Sequence, residues 1–214
     1  MLKRLKMLGF AAIAMLSMAT AASAAPVIDF GTGTAGEGGT IQQIGGNLIG
    51  TNIPIGNVSI TGTGATDGSY LVTGTATGQF AQPGNYGSLN FNTATGAISI
   101  TGCIANFSVG TQQCPAPQTL LTGTIGSFND FGGSLFIGTG TDSKNATLLA
   151  ALGLPANTPF ELFGFSLSTG TIIGNGSSPA RSTDIRNTAV PEPATMMLLG
   201  TGLLAAFRGR RRQA

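Results

Sequence analysis

The chain of 214 residues has no histidine and no tryptophan, only two cysteines, and few charged side chains, ten basic and eight acidic. Without histidine, His-based catalytic triads, the commonest general base near neutral pH and most zinc sites are excluded. The little charge there is sits mostly at the ends. Lys3, Arg4 and Lys6 stand at the N-terminus and Arg208, Arg210, Arg211 and Arg212 at the C-terminus, which leaves only Lys144, Arg181 and Arg186 between residues 25 and 190. Seven acids (Asp29, Glu37, Asp67, Asp130, Asp142, Glu161 and Asp184) oppose them, so the body carries a net −4 although the whole chain carries +2. Nucleic acid is therefore not expected as a partner, because the body offers no basic surface to neutralise phosphates. What is abundant is glycine, at 34 residues.

Both ends read as targeting segments. Residues 1–24 hold a positive stretch at Lys3, Arg4 and Lys6, an apolar run over 7–19, and the small residues Ala22-Ser23-Ala24, the pattern of a secretory signal peptide cleaved after Ala24 by signal peptidase. The apolar run is shorter than the roughly 20 residues a spanning helix needs, so an uncut anchor is not expected.

Residues 190–214 reverse this order. Pro191-Glu192-Pro193 forbids helix upstream, an apolar helix is expected over 194–207, and Arg208, Arg210, Arg211 and Arg212 follow. Met196, Met197, Leu198, Leu199, Leu203 and Leu204 go all round such a helix, which leaves no polar face for an amphipathic helix packed on the body. Arginines after a short apolar helix are a positive-inside flank, and their long side chains can snorkel to extend its reach, so a transmembrane helix with a cytoplasmic C-terminus is expected.

The three parts together, Pro191-Glu192-Pro193, Leu198-Leu199-Gly200-Thr201-Gly202-Leu203-Leu204 and the arginine cluster, resemble a PEP-CTERM sorting signal. The resemblance implies a Gram-negative bacterium and recognition by an exosortase, a membrane transpeptidase. It further implies an inner-membrane-tethered precursor, cleavage near Pro-Glu-Pro, and delivery to the cell surface or an exopolysaccharide matrix. Ile28-Asp29-Phe30-Gly31, Leu120-Leu121-Thr122-Gly123-Thr124 and the stretch from Leu149-Ala150-Ala151-Leu152-Gly153-Leu154-Pro155 to Phe163-Gly164-Phe165-Ser166 also resemble β-rich PEP-CTERM surface proteins. That likeness carries no catalytic residues.

The body, residues 25–189, is long enough for one sizeable core. Its apolar residues alternate with polar ones: Val58 and Ile60, Ile98 and Ile100, and Phe163, Phe165 and Leu167. Period two predicts antiparallel strands with one buried face. A hairpin is predicted from Leu89-Asn90-Phe91-Asn92 through a loop at 93–96 into 97–101, with Gly96 at its left-handed position. Gly-Thr runs recur at irregular spacing, which argues against a solenoid, and their glycines read as turns or bulges. Seven to ten short strands predict an all-β body, a β-sandwich or jelly roll. One short helix is expected over 146–152, capped by Asp142-Ser143 and stopped by Gly153, as a crossover between sheets with Leu148, Leu149 and Leu152 facing the core.

Chemistry is sparse. Cys103 and Cys114 are expected to form a disulfide in an exported chain, and a metal site would need more ligands than they supply. Asp130 and Asp142 sit in turn-like contexts where aspartate bonds to backbone, so a glycosidase pair is not singled out. Tyr70 and Tyr86 are the only aromatics besides phenylalanine that a sugar could meet. Ser143 beside Lys144 would not face it on a helix, which removes a Ser-Lys dyad. No cofactor or metal is expected. The reading is a non-enzymatic exported protein with a structural or interaction role. The alternatives are a carbohydrate-binding or carbohydrate-active protein working on exopolysaccharide, which a neighbouring acid pair in a tyrosine-lined groove would favour, and a self-assembling subunit with a long uncovered sheet edge.

Overall fold

A computed structural model describes residues 25–64, 66–74, 85–105 and 116–190. The expected signal peptide, Cys114, and the tail from Pro191 onward, including the apolar helix and the arginine cluster, lie outside these described residues. Ala25–Val190 forms one unit.

Alternation builds the strands as the sequence predicts. In β1 (Val27–Gly31), β4 (Asn57–Thr61) and β10 (Phe163–Thr169), every second side chain is buried: Ile28 and Phe30, Val58 and Ile60, Phe163, Phe165 and Leu167. The predicted hairpin is β6 (Gly87–Asn92) and β7 (Ala97–Ala105), paired in the register Asn92 to Ala97 and Leu89 to Ile100, with Gly96 at φ 75°. The remaining strands are β2 (Gly38–Ile44), β3 (Asn47–Ile55), β5 (Gly68–Thr73), β8 (Gln118–Phe131), β9 (Leu135–Lys144) and β11 (Ser177–Thr188).

All eleven belong to one antiparallel sheet. β7 and β11 are its seams. On one side β8, β9 and β10 run between them. On the other, two three-stranded ribbons span the same gap. β6, β3 and β2 join the first half of β7 to the first half of β11, and β5, β4 and β1 join the second halves. The ribbons part at Gly56, whose N–H donates to the Gly31 carbonyl (3.0 Å) and whose carbonyl accepts from Val72 N (3.0 Å). Facing layers of a sandwich are thus obtained by closing one sheet on itself, which pairs most of the strand edges where free backbone would recruit another chain. Residues 125–131 of β8 pair with β9 alone among the described residues.

Eleven strands exceed the seven to ten expected, because glycine-rich segments that read as turns are strands. Gly138-Thr139-Gly140-Thr141 lies within β9, its glycines on the core face and its threonines outside. The reason is space: a Cβ at Gly140 would stand 2.6 Å from the Phe163 ring and one at Gly50 would stand 2.1 Å from the Phe91 ring. The rings fill the gap between layers, with Phe91 edge-on to Phe165 at 5.3 Å and Phe128 stacked on Phe136 at 5.7 Å.

The helix, α1 (Ala146–Ala151), buries Leu148, Leu149 and Leu152 as expected. Its cap is different. Asn145, not Asp142-Ser143, accepts from Thr147 N at 2.7 Å, and β9 runs on through Lys144. Nor is α1 a crossover between sheets: it joins β9 to β10, which are neighbours in the same sheet. Gly153 ends it at φ 72°. Among the described residues no helix is long and apolar enough to cross a membrane.

Candidate functional site

The strand order gathers charged residues, far apart in sequence, at two places. The first is on the outer face. Asp29 on β1 lies opposite Arg186 on β11, and Asp184 is two residues along that strand. Asp29 and Asp184 hydrogen-bond to each other. Partial burial of Asp29, that hydrogen bond and the like charge of Asp184 together push its carboxyl up to about 7, while Arg186 pulls the other way.

A neighbouring acid pair therefore exists, but the tyrosines do not line it. Tyr70 is half-buried against the core and donates to the Thr66 carbonyl at 2.6 Å, and Tyr86 donates to the Thr34 carbonyl at 3.3 Å. Serines of neighbouring strands flank the pair instead, Ser59 of β4 opposite Asp29 and Ser166 of β10 opposite Asp184, with Ser168 and Ser182 bonded across strands at 2.6 Å.

The second place is inside. Asp142 and Lys144, two residues apart on β9, both point inward, and Asn187 of β11 joins them. Lys144 Nζ donates to Asp142 Oδ1 (3.0 Å) and Oδ2 (2.9 Å), and Asn187 Nδ2 donates to the same Oδ1 (3.2 Å) and to the Glu161 carbonyl (3.3 Å). Both charged side chains are fully buried. Nζ also lies 4.0 Å over the Phe160 ring. Burial holds the Lys144 ammonium below its usual range, against the pull of Asp142. The Asn187 Oδ1 is buried with no partner. Beside the trio is a cavity of about 330 Å³ lined by Asp142, Lys144, Leu149, Asn157, Pro159 and Phe160.

The sequence reading of Asp142 is thus corrected. It is not a turn residue bonded to backbone but the counter-ion of a buried lysine, because the chain is extended here. Asp130 does sit in a turn, accepting from Gly133 N at 2.7 Å. Opposite charges at positions i and i+2 would have shown the Asp142–Lys144 pair once residues 138–144 were read as a strand. Asn187, 43 positions on, had no local signal. Among the described residues no group of three metal-ligating side chains occurs.

Cys103 is fully buried at the end of β7, and no described cysteine is a free thiol. Ala189 and Val190 close the body, with Ala189 N bonded to the Pro26 carbonyl at 2.7 Å and Val190 N to the Pro159 carbonyl at 2.9 Å. The sorting residues follow directly. Residues 189–212 match the family description "PEP-CTERM protein-sorting motif". The chain carries a PEP-CTERM sorting motif. This marks it as an exported protein sorted by an exosortase toward the cell surface. The motif spans Pro191, Glu192, Pro193 and the arginines at 208, 210, 211 and 212, and begins where the last strand has already closed the sheet. Comparison with curated proteins and with solved structures gives no match.

Proposed function

We propose that the PEP-CTERM chain is a non-catalytic display protein, made as a precursor with a signal peptide at 1–24 and held briefly in the inner membrane by residues 194–207. Signal peptidase cuts after Ala24 and exosortase acts near Pro191-Glu192-Pro193, leaving the β body at the surface or in an exopolysaccharide matrix. The sorting motif carries this reading. The body supports a structural role: its sheet closes on itself, and its outer pair of Asp29 and Asp184 has no aromatic platform beside it. A disulfide from Cys103 to Cys114 belongs to the same reading and would stabilise the body by roughly 3 kcal/mol through loop closure. Replacing Pro191, Glu192 and Pro193 by alanine in the native host should leave precursor that still carries its C-terminal tail in the membrane fraction. Normal release of that variant would refute exosortase sorting.

A second reading draws on the Asp29–Asp184 pair with Arg186. Amid the hydroxyls of β10 and β11, these groups could bind sugar hydroxyls of exopolysaccharide. Glycan-array binding by the exported protein, abolished in Asp184→Asn, would favour it. A flat array would leave the display role alone.

A further inference from the structure

The trio inside the barrel has a composition that a purely structural ion pair does not need. An aspartate and a lysine would neutralise each other, yet a carboxamide is bonded to the same carboxylate oxygen, and its own carbonyl oxygen is left without a partner in the core. An orphaned buried acceptor costs about 1–3 kcal/mol, and a buried ion pair is itself an expensive way to fill a core. We propose that Lys144 and Asn187 become joined by an intramolecular amide bond, formed by the chain itself with Asp142 as the proton-transfer group, so that β9 and β11 are covalently tied.

The arrangement supplies a nucleophile, a base and a dry site, with Lys144 and Asn187 brought together through their shared partner Asp142. The nucleophile must be a neutral amine, and desolvation beneath Phe160 favours loss of the ammonium proton. The base must touch both partners, and Asp142 Oδ1 accepts from Nζ at 3.0 Å and from Asn187 Nδ2 at 3.2 Å. Water that would hydrolyse the carboxamide instead must be excluded, and Asn187 is 1% exposed. In the reaction one Nζ proton passes to Asp142. The amine lone pair then forms a bond to Cγ of Asn187, and the Cγ–Nδ2 bond breaks. Asp142 delivers its proton to Nδ2 and takes the second Nζ proton, and Nδ2 leaves as ammonia through the adjoining cavity. No oxidant, reductant or water is consumed. The product is a neutral amide beside a protonated carboxyl, so the buried charges are gone.

The span fits the architecture. β9 and β11 are not neighbours but flank β10, and β11 is a seam where the single sheet closes. A bond between them would tie both sides of β10 to the last strand before the sorting motif, where pulling on an anchored tail would begin to peel the body. Tethering of that kind suits a protein held at a surface by its C-terminal end.

Intact-mass measurement of the exported, folded protein after reduction tests this without any variant. The expected mass is one ammonia below that of the mature sequence. Trypsin should fail to cut after Lys144, the only lysine between residues 25 and 190, and the peptide that starts at Asn187 should remain joined to it. Asp142→Asn and Lys144→Arg should each restore the full mass. Full mass in the wild type overturns the proposal, as does loss of one water mapped to Lys144 and Asp142. Ammonia loss mapped to a succinimide at Asn175-Gly176 overturns it as well.

Discussion

Gly140 shows what single residues contribute in this chain. With no Cβ it lets the Phe163 ring and the Thr124 carbonyl approach its Cα closely, which is how a flat glycine face and a bulky phenylalanine share one layer. Gly140→Ala should destabilise the body by about 1–3 kcal/mol, read from urea unfolding, because ring and backbone must move apart. Gly132, with φ 73° and open space around it, should lose stability only through backbone strain on the same change, on the order of 1 kcal/mol.

Asp29 gives the residue scale a pH dependence. Its folded carboxyl is pushed up to about 7, against 3.8 for a solvent-exposed carboxyl, so between those values the folded state binds more protons than the unfolded. Stability from this group is present in mild acid and is lost as pH rises through about 7. Unfolding midpoints should therefore fall from pH 5 to pH 8, and Asp29→Asn should flatten that slope. Solvent screening of a half-exposed pair limits the effect to roughly 1 kcal/mol. A wild-type slope unchanged in Asp29→Asn would show that Asp29 is not its source.

At the scale of elements, α1 depends on its cap. Asn145 accepts from Thr147 N and also donates to the Thr119 carbonyl at 3.0 Å, which ties the helix start to β8. Asn145→Ala should cost about 1–2 kcal/mol in denaturant unfolding, and Asn145→Asp, which keeps the cap acceptor but loses the donor to Thr119, should cost less. How far the elements were legible follows from the same local physics. Where apolar side chains alternate with polar ones, as in β1, β4, β6, β7 and β10, period two reveals the strand and its buried face. Where the core face is glycine, as in β9, the pattern shows only the threonines, and a strand reads as turns. That one misreading also moved the helix cap upstream and hid the Asp142–Lys144 pair. Asn187 and the Asp29–Asp184 pair come together only through β11, whose two partners on one edge are a property of the closed sheet and not of any window of sequence.

At the scale of the whole molecule, the ends and the body divide the work. The sorting motif was legible because its three parts are contiguous and each has a local physical signature: a helix stop, an apolar helix and a cationic flank. It gives delivery. The body gives a closed sheet of eleven strands, and seven of its ten charged side chains stand beside another charged group: Asp142 with Lys144 inside, Asp29 with Asp184 and Arg186 outside, and Glu37 with Arg181 at 3.4 Å on the exposed rim. The rim pair contributes little to stability. The central claim is that this body is delivered through its tail. Mass spectrometry of the mature extracellular protein tests that most directly: a species beginning at Ala25 and ending near Pro191-Glu192-Pro193, without Arg208, Arg210, Arg211 and Arg212, is the predicted result, and an extracellular form that keeps those arginines would contradict it.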